Sequence, residues 1–284
     1  MKTFTKENQD KIVSQYLDGV SKYRLSQDYH VSESVIKRIL LEHGVQLRTI
    51  QQANKAKFKI DEKFFDTESS NLAYILGLWA ADGNVSAKDN RLDLELNSLD
   101  YDLLEQIRNV IKSERPIKIY QCQSGYVKNK LYFWSAHVKQ KMIEYGIVPN
   151  KTYSSDFHVP YKLSKKYWID YIRGFFDGDG CIKKSSSIIF ELNSINYNFL
   201  KEIQQFFKEY YDIDTNISIA HALLNQPIMY RLYCYGESVK RIYTLLYTPN
   251  TLYMQRKYDK WHEYYNDIKL QETITASEEE EKVR

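Results

Sequence analysis

Two stretches decide the fold: Leu76-Gly77-Leu78-Trp79-Ala80-Ala81-Asp82-Gly83 and Arg173-Gly174-Phe175-Phe176-Asp177-Gly178-Asp179-Gly180. Each places a Gly five residues before an Asp and a second Gly directly after it. Ahead of the first, Leu72, Ile75, Leu76 and Trp79 recur at helical spacing behind Ser70, read as the cap. A Gly inside a helix costs about 1 kcal/mol relative to Ala, so it needs a reason. Close approach of two helix backbones supplies one, because Gly has no side chain to hold them apart. Ala80, Ala81 and Gly178 extend the narrow surface. If the helices pack through Gly77 and Gly174, Asp82 and Asp179 come side by side at one end. Two carboxylates at negative helix C-termini repel each other, and a divalent cation relieves the repulsion. Oxygen ligands with room for water suit Mg²⁺.

Working outward, the chain repeats itself. Leu94-Glu95-Leu96-Asn97-Ser98-Leu99-Asp100-Tyr101 returns as Phe190-Glu191-Leu192-Asn193-Ser194-Ile195-Asn196-Tyr197, and Pro149-Asn150 returns as Pro249-Asn250. Two copies make an internal pseudo-dimer and not a solenoid. Each copy reads helix, hairpin, helix, hairpin, helix. The expected fold class is α+β, with two pseudo-symmetric αββαββα repeats over 70–160 and 161–270. Their antiparallel strands bury one face and leave the other open and polar, so that two halves side by side make a long curved sheet. A final helix over about 251–268 takes Trp261, Tyr264 and Tyr265 as packing residues.

Residues 1–46 read as a small all-α module. Ile12, Val13, Tyr16 and Leu17 mark a first helix that Asp18-Gly19 ends. A second follows Ser21. Ser32 is expected to cap a third, which buries Val35, Ile36, Ile39 and Leu40 and ends at Gly44. Two helices across a short turn, the second carrying Lys37-Arg38, give a helix-turn-helix pattern, and both side chains are expected on DNA. Residues 47–69 read as a basic linker, with Arg48 another candidate phosphate contact. The segment 271–284 carries five Glu against Lys282 and Arg284 and reads as an acidic disordered tail.

At the two Gly-x-x-x-x-Asp-Gly sites the sequence resembles the LAGLIDADG homing endonucleases, over about residues 70–260 and in the single-chain, two-motif form. The resemblance implies a saddle-shaped antiparallel sheet that grips DNA, with Asp82 and Asp179 holding Mg²⁺ or Mn²⁺ at the scissile phosphates and Ala81 and Gly178 beside them at the metal. It implies hydrolysis in which metal-activated water attacks phosphorus. The earlier acid of the motif is Ala80 in one copy and Asp177 in the other, and that position is not expected to bind metal. The family also uses a basic residue near the end of each half. Lys151 fits in the first. The matching place in the second is Thr251, so Lys257 or Arg256 stands in.

In 91–97 and 187–193 strict alternation puts Glu95, Asn97, Glu191 and Asn193 on the open face. These four are expected to read bases or support the metal; the alternative for the acids is pairing with a neighbouring Lys or Arg. The expected function is a site-specific double-strand DNA endonuclease acting as a monomer on a long asymmetric target. It is free-standing or intron-encoded, because the chain starts at Met1 and shows no splicing-junction residues. The rivals are a non-catalytic DNA-binding regulator on the same fold, which loss of the acids would mark, and an intron RNA maturase, which RNA binding without DNA cleavage would mark.

The 284 residues, with 43% hydrophobic and 27% charged, suit a globular chain. The net charge of +3 conceals eleven basic against six acidic residues over 1–60. No membrane segment or secretory leader is expected. Cys122, Cys181 and Cys234 are too scattered for a disulfide framework or a zinc site, which points to the cytoplasm, bacterial or of a phage host. The six His have no metal spacing, and no phosphate loop or nucleophile elbow occurs.

Overall fold

The computed structural model describes residues 4–49, 52–53, 58–154, 156–184, 187–222 and 227–266. Three helices open the chain: α1 (Lys6–Leu17), α2 (Lys22–Asp28) and α3 (Glu33–Glu42). Thr5 accepts from the Asn8 amide and Ser21 from the Arg24 amide, satisfying first-turn donors. Ser32 departs from expectation. It makes no cap bond, and its hydroxyl meets that of Ser34 at 2.7 Å. Ile12, Tyr16, Leu25, Ile36, Ile39 and Leu40 close a small core of their own.

The first repeat runs α4 (Ser70–Asp82), β1 (Gly83–Val85), β2 (Arg91–Asn97), α5 (Tyr101–Val110), β3 (Lys118–Gln121), β4 (Val127–Trp134) and α6 (Ala136–Glu144). The second runs α7 (Trp168–Asp179), β5 (Gly180–Lys184), β6 (Ile188–Ser194), α8 (Tyr197–Tyr211), β7 (Asn216–His221), β8 (Met229–Tyr235) and α9 (Glu237–Leu246). Residues 255–266 are helical, and Trp261 is buried in the main core. The element order therefore matches the sequence reading. The cap of α4 does not. Ser69 accepts from the Leu72 amide at 3.1 Å, while Ser70 donates across to Asp170 of α7 at 2.7 Å.

The strands form two four-stranded antiparallel sheets, one in each repeat, in the expected pseudo-symmetric arrangement. The strand orders are β1-β2-β4-β3 and β5-β6-β8-β7, all antiparallel, with no strand shared. β1 and β5 are the edge strands that leave the paired helices. The carbonyls of Gly83 and Gly180, their first residues, accept from lysine side chains. Leu92, Leu94, Leu96, Leu131 and Phe133 bury one face of the first sheet, as Ile188, Phe190, Leu192 and Leu232 bury one face of the second. No described helix is long and apolar enough to cross a membrane. The 271–284 tail, Lys55 and Lys57 lie outside the described residues.

Candidate functional site

Helices α4 and α7 meet at the centre through their glycines. A Cβ on Gly77 would land on the carbonyl oxygen of Tyr171 and within 2.8 Å of the Phe175 nitrogen. A Cβ on Gly174 would land on the carbonyl oxygen of Tyr74 and within 2.8 Å of the Leu78 nitrogen. The two contacts mirror each other. One turn further on, a Cβ on Gly178 would strike the Ala81 methyl and lie 2.9 Å from Asp82 Oδ2. Both helices thus end together, and both acids emerge at the same end.

Asp82 and Asp179 keep solvent-open tips, yet the surrounding protein crowds them. Burial, reinforced by the charge of Asp179, pushes Asp82 up to about 6 against the pull of Lys151, Lys257 and Arg256. Burial also raises Asp179, opposed by Lys151 and Lys257. Such mutual frustration is what a divalent cation removes. The donor chemistry fits a hard cation: two carboxylates, at the adjacent ends of α4 and α7. No group of three or more His, Cys, Asp or Glu that could hold a metal occurs among the described residues. Phosphate and water oxygens would have to complete the shell.

Lys151 and Lys257 occupy mirrored places. Lys151 donates to the carbonyl of Gly83, directly after Asp82, and Lys257 to that of Gly180, directly after Asp179. Lys257 also lies 3.3 Å from the Phe176 carbonyl. Burial lowers both lysines, opposed for Lys151 by Asp179 and Asp82 and for Lys257 first by Asp177. Lysines anchored beside the acid pair suit charge stabilisation. Arg256, the other candidate for the second half, turns away and clamps Asp100 with Nε at 2.9 and 3.1 Å. A cavity of about 300 Å³ opens beside the first lysine, lined by Lys151, Asp179, Phe175, Asn193 and Asn196 among others.

Asp177 sits apart from the acid pair and is fully buried. It accepts from Tyr74 Oη at 2.7 Å, Tyr247 Oη at 3.1 Å and the Met254 amide at 2.7 Å. Burial lifts its carboxyl to about 6 in spite of these donors. Arg173, one turn earlier and equally buried, donates to the carbonyls of Leu252 and Leu246 and to Asp170. These two side chains fasten α7 to the chain after α9. Neither role shows in the local pattern, because the partners lie seventy or more residues away for all but Asp170.

The open faces are cationic. Arg91, Lys118, Lys128 and Lys130 stand on the first, Lys183 and Arg231 on the second, by the strand register. Glu95 and Glu191 take the pairing alternative over base reading. Glu95 accepts from Lys128 and Lys130, each at 2.8 Å, and from Tyr120, which together hold it down at about 2 despite burial. Glu191, buried, meets Lys183 at 2.5 Å and Arg231 at 3.2 Å. Both carboxylates are spent on fixing cations. Asn97 uses its Oδ1 locally, to take the Leu99 amide at 3.0 Å. Asn193 remains on the cavity wall.

In the N-terminal module Lys37 and Arg38 are exposed on α3, Arg38 beside Glu42 at 3.7 Å. Arg48 is not available to phosphate. Its guanidinium donates to the carbonyls of Val20 and Tyr16 and lies over the Tyr16 ring at 4.1 Å, so it fastens the linker to α1.

Comparison with known proteins bears on the fold. The model of the LAGLIDADG-like domain family matches residues 69–114 and 169–246, which contain both glycine helices and both acids. The fold is LAGLIDADG-like. Ribonucleoside-diphosphate reductase NrdEB subunit alpha of Bacillus subtilis (strain 168) is 24% identical over 172 residues, 55% of this chain and 15% of that protein. An uncharacterized protein of Methanocaldococcus jannaschii is 25% identical over 166 residues, 56% of this chain and 60% of that one. The chain thus covers less than two thirds of either relative's length. Among solved structures, full-length DUF199/WhiA from Thermatoga maritima has a TM-score of 0.44 at 16% identity, over 76% of this chain and 72% of that one. The homing endonuclease I-WcaI bound to its DNA recognition sequence has a TM-score of 0.48 at 11% identity, over 69% and 91%.

Proposed function

We propose that the protein binds double-stranded DNA against the open faces of its two sheets, and that the Asp82–Asp179 pair makes it a site-specific, metal-dependent endonuclease. The single observation that supports cleavage is the mirrored site: each acid at a helix end, each followed by a carbonyl that holds a lysine. Mg²⁺ or Mn²⁺, when bound, neutralises phosphate charge and activates water. Asp82 and Asp179 hold that cation, with the Ala81 and Gly178 carbonyls beside them. Lys151 and Lys257 place positive charge where it builds at phosphorus. Arg91, Lys118, Lys128, Lys130, Lys183 and Arg231 meet the phosphate backbone, and a single chain with two different open faces suits a long asymmetric target.

A second reading is a non-catalytic DNA-binding regulator on the same fold. Taken without the acid–lysine geometry, the family match and the small donor set favour it. The exposed Lys37 and Arg38 of the helix-turn-helix-like module suit either reading.

A cleavage-site selection on random and host duplexes with Mg²⁺ separates the two. Cutting that vanishes in Asp82→Asn and Asp179→Asn while binding stays supports the endonuclease. Tight, sequence-selective binding with no cutting of any duplex establishes the regulator, and cutting that survives in the double variant removes the acids from the reaction.

A further inference from the structure

We propose that Asp100 and Asn196 are positioning residues which clasp the lysine-bearing segment of the opposite repeat, so that each candidate catalytic lysine is set by the half it does not belong to. The inference rests on the reading of Lys151 and Lys257 as working groups. It gives a role to the last polar position of the repeated octapeptide.

Asp100 and Asn196 occupy the same place in the two repeats, directly before α5 and α8. Both reach across. The Asp100 carboxylate, in the first repeat, receives Arg256 of the second, and Arg256 is the neighbour of Lys257. Asn196, in the second repeat, donates Nδ2–H to the Phe157 carbonyl of the first at 2.9 Å. Phe157 lies on the segment that begins with Lys151, and Asn196, Phe157 and Lys151 share one cavity wall.

Helix capping does not account for the pair. Asn196 caps with its Oδ1, which takes the Phe199 amide at 3.0 Å, and still spends its amide on Phe157. Asp100 makes no cap bond at all. Its side chain is 2% exposed while Arg256 is 45% exposed, so the buried partner is the acid and the reaching partner is the arginine. A carboxylate so enclosed is costly without its cation, which fixes where Arg256 must be. Lys257, the next residue, is then left little freedom to leave the Gly180 carbonyl. A catalytic group tolerates only about 0.5 Å of misplacement, so a tether one residue away matters. The two clasps run in opposite directions. Each clasp therefore sets its own lysine.

The test uses the full chain and three substitutions: Asp100→Asn, Arg256→Gln, which breaks the same pair from the exposed side, and Asn196→Ala. Reductive methylation is followed lysine by lysine with mass spectrometry, beside thermal melting. Asp100→Asn and Arg256→Gln should each speed labelling of Lys257 several-fold and leave Lys151 unchanged. Asn196→Ala should do the reverse. Equal acceleration of both lysines, or none in any variant, overturns the clasp. Strand-resolved cleavage then adds the link to function, with the two clasps slowing cutting of different strands. Selective labelling in a protein that cuts no duplex keeps the clasp and removes the endonuclease reading. Normal cutting with unselective labelling does the opposite.

Discussion

Tyr74 of the first repeat donates its hydroxyl proton to Asp177 of the second at 2.7 Å, within a fully buried interface. The bond crosses between the two glycine helices, and Tyr247 and the Met254 amide bring the end of the chain to the same carboxylate. Asp177→Ala would strand two hydroxyls and one amide. Each stranded buried donor costs about 1–3 kcal/mol, so a loss of about 3 kcal/mol or more is expected in urea unfolding, and about 1–2 kcal/mol for Tyr74→Phe. A loss near zero in both would show that the carboxylate is not what joins these segments.

The raised carboxyls of Asp82 and Asp177 predict an unusual response to pH. A carboxyl whose folded pKa is raised holds more protons folded than unfolded, so its contribution to stability falls as pH rises. For Asp82 and Asp177 the window runs from the ordinary carboxylate value of 3.8 to about 6. Stability measured in chelator should therefore decline across that range, less steeply in Asp82→Asn. Mg²⁺ should raise the melting temperature above about pH 6 and lose its effect below it, since a protonated carboxyl is a poor ligand. Unchanged melting with Mg²⁺ at pH 8 would count against a metal site at these acids.

Gly77→Ala and Gly174→Ala should both harm the protein, although Ala is the better helix former. The added methyl falls on the carbonyl oxygen of Tyr171 or Tyr74, so the helices must part, and overpacking of this kind costs about 1–3 kcal/mol. The mirrored contacts predict similar losses for the two variants. An alanine variant as stable as the parent would mean that the backbones do not touch here.

Removing residues 1–49 should leave a folded two-repeat core, because the three helices close a separate hydrophobic cluster. DNA affinity should fall, and the slope of log affinity against log salt should flatten with the loss of Lys37 and Arg38. Equal affinity and an equal slope would show that the module does not touch DNA.

What could be read beforehand followed from short-range pattern. Gly77 and Gly174 announced a close helix contact because a mid-helix Gly has few other uses. The repeated octapeptide fixed the element order. The long-range partners stayed hidden. Arg48 looked like a phosphate contact, since its bonds to Val20 and Tyr16 lie 28 and 32 residues back. Glu95 and Glu191 looked available because alternation names a face and not the cations standing on it. Lys257 was harder to locate than Lys151. The helix ends and the Pro-Asn turns keep nearly constant offsets, but the second lysine has slid along its segment, and only the Gly180 carbonyl reveals that it returns to the equivalent place.

Because the sheets share no strand, mutational drift in one leaves the ladder of the other intact. A lineage can therefore remodel one open face while the second stays as it was. Recombinant chimaeras should obey the same partition, with a constraint at the seam: whichever donor supplies α4 must be matched to a compatible α7, and the Asp100–Arg256 pair must travel together. Exchangeable outer surfaces around an inflexible hinge-less spine would make this chain a better starting point for half-by-half library selection than for whole-surface redesign.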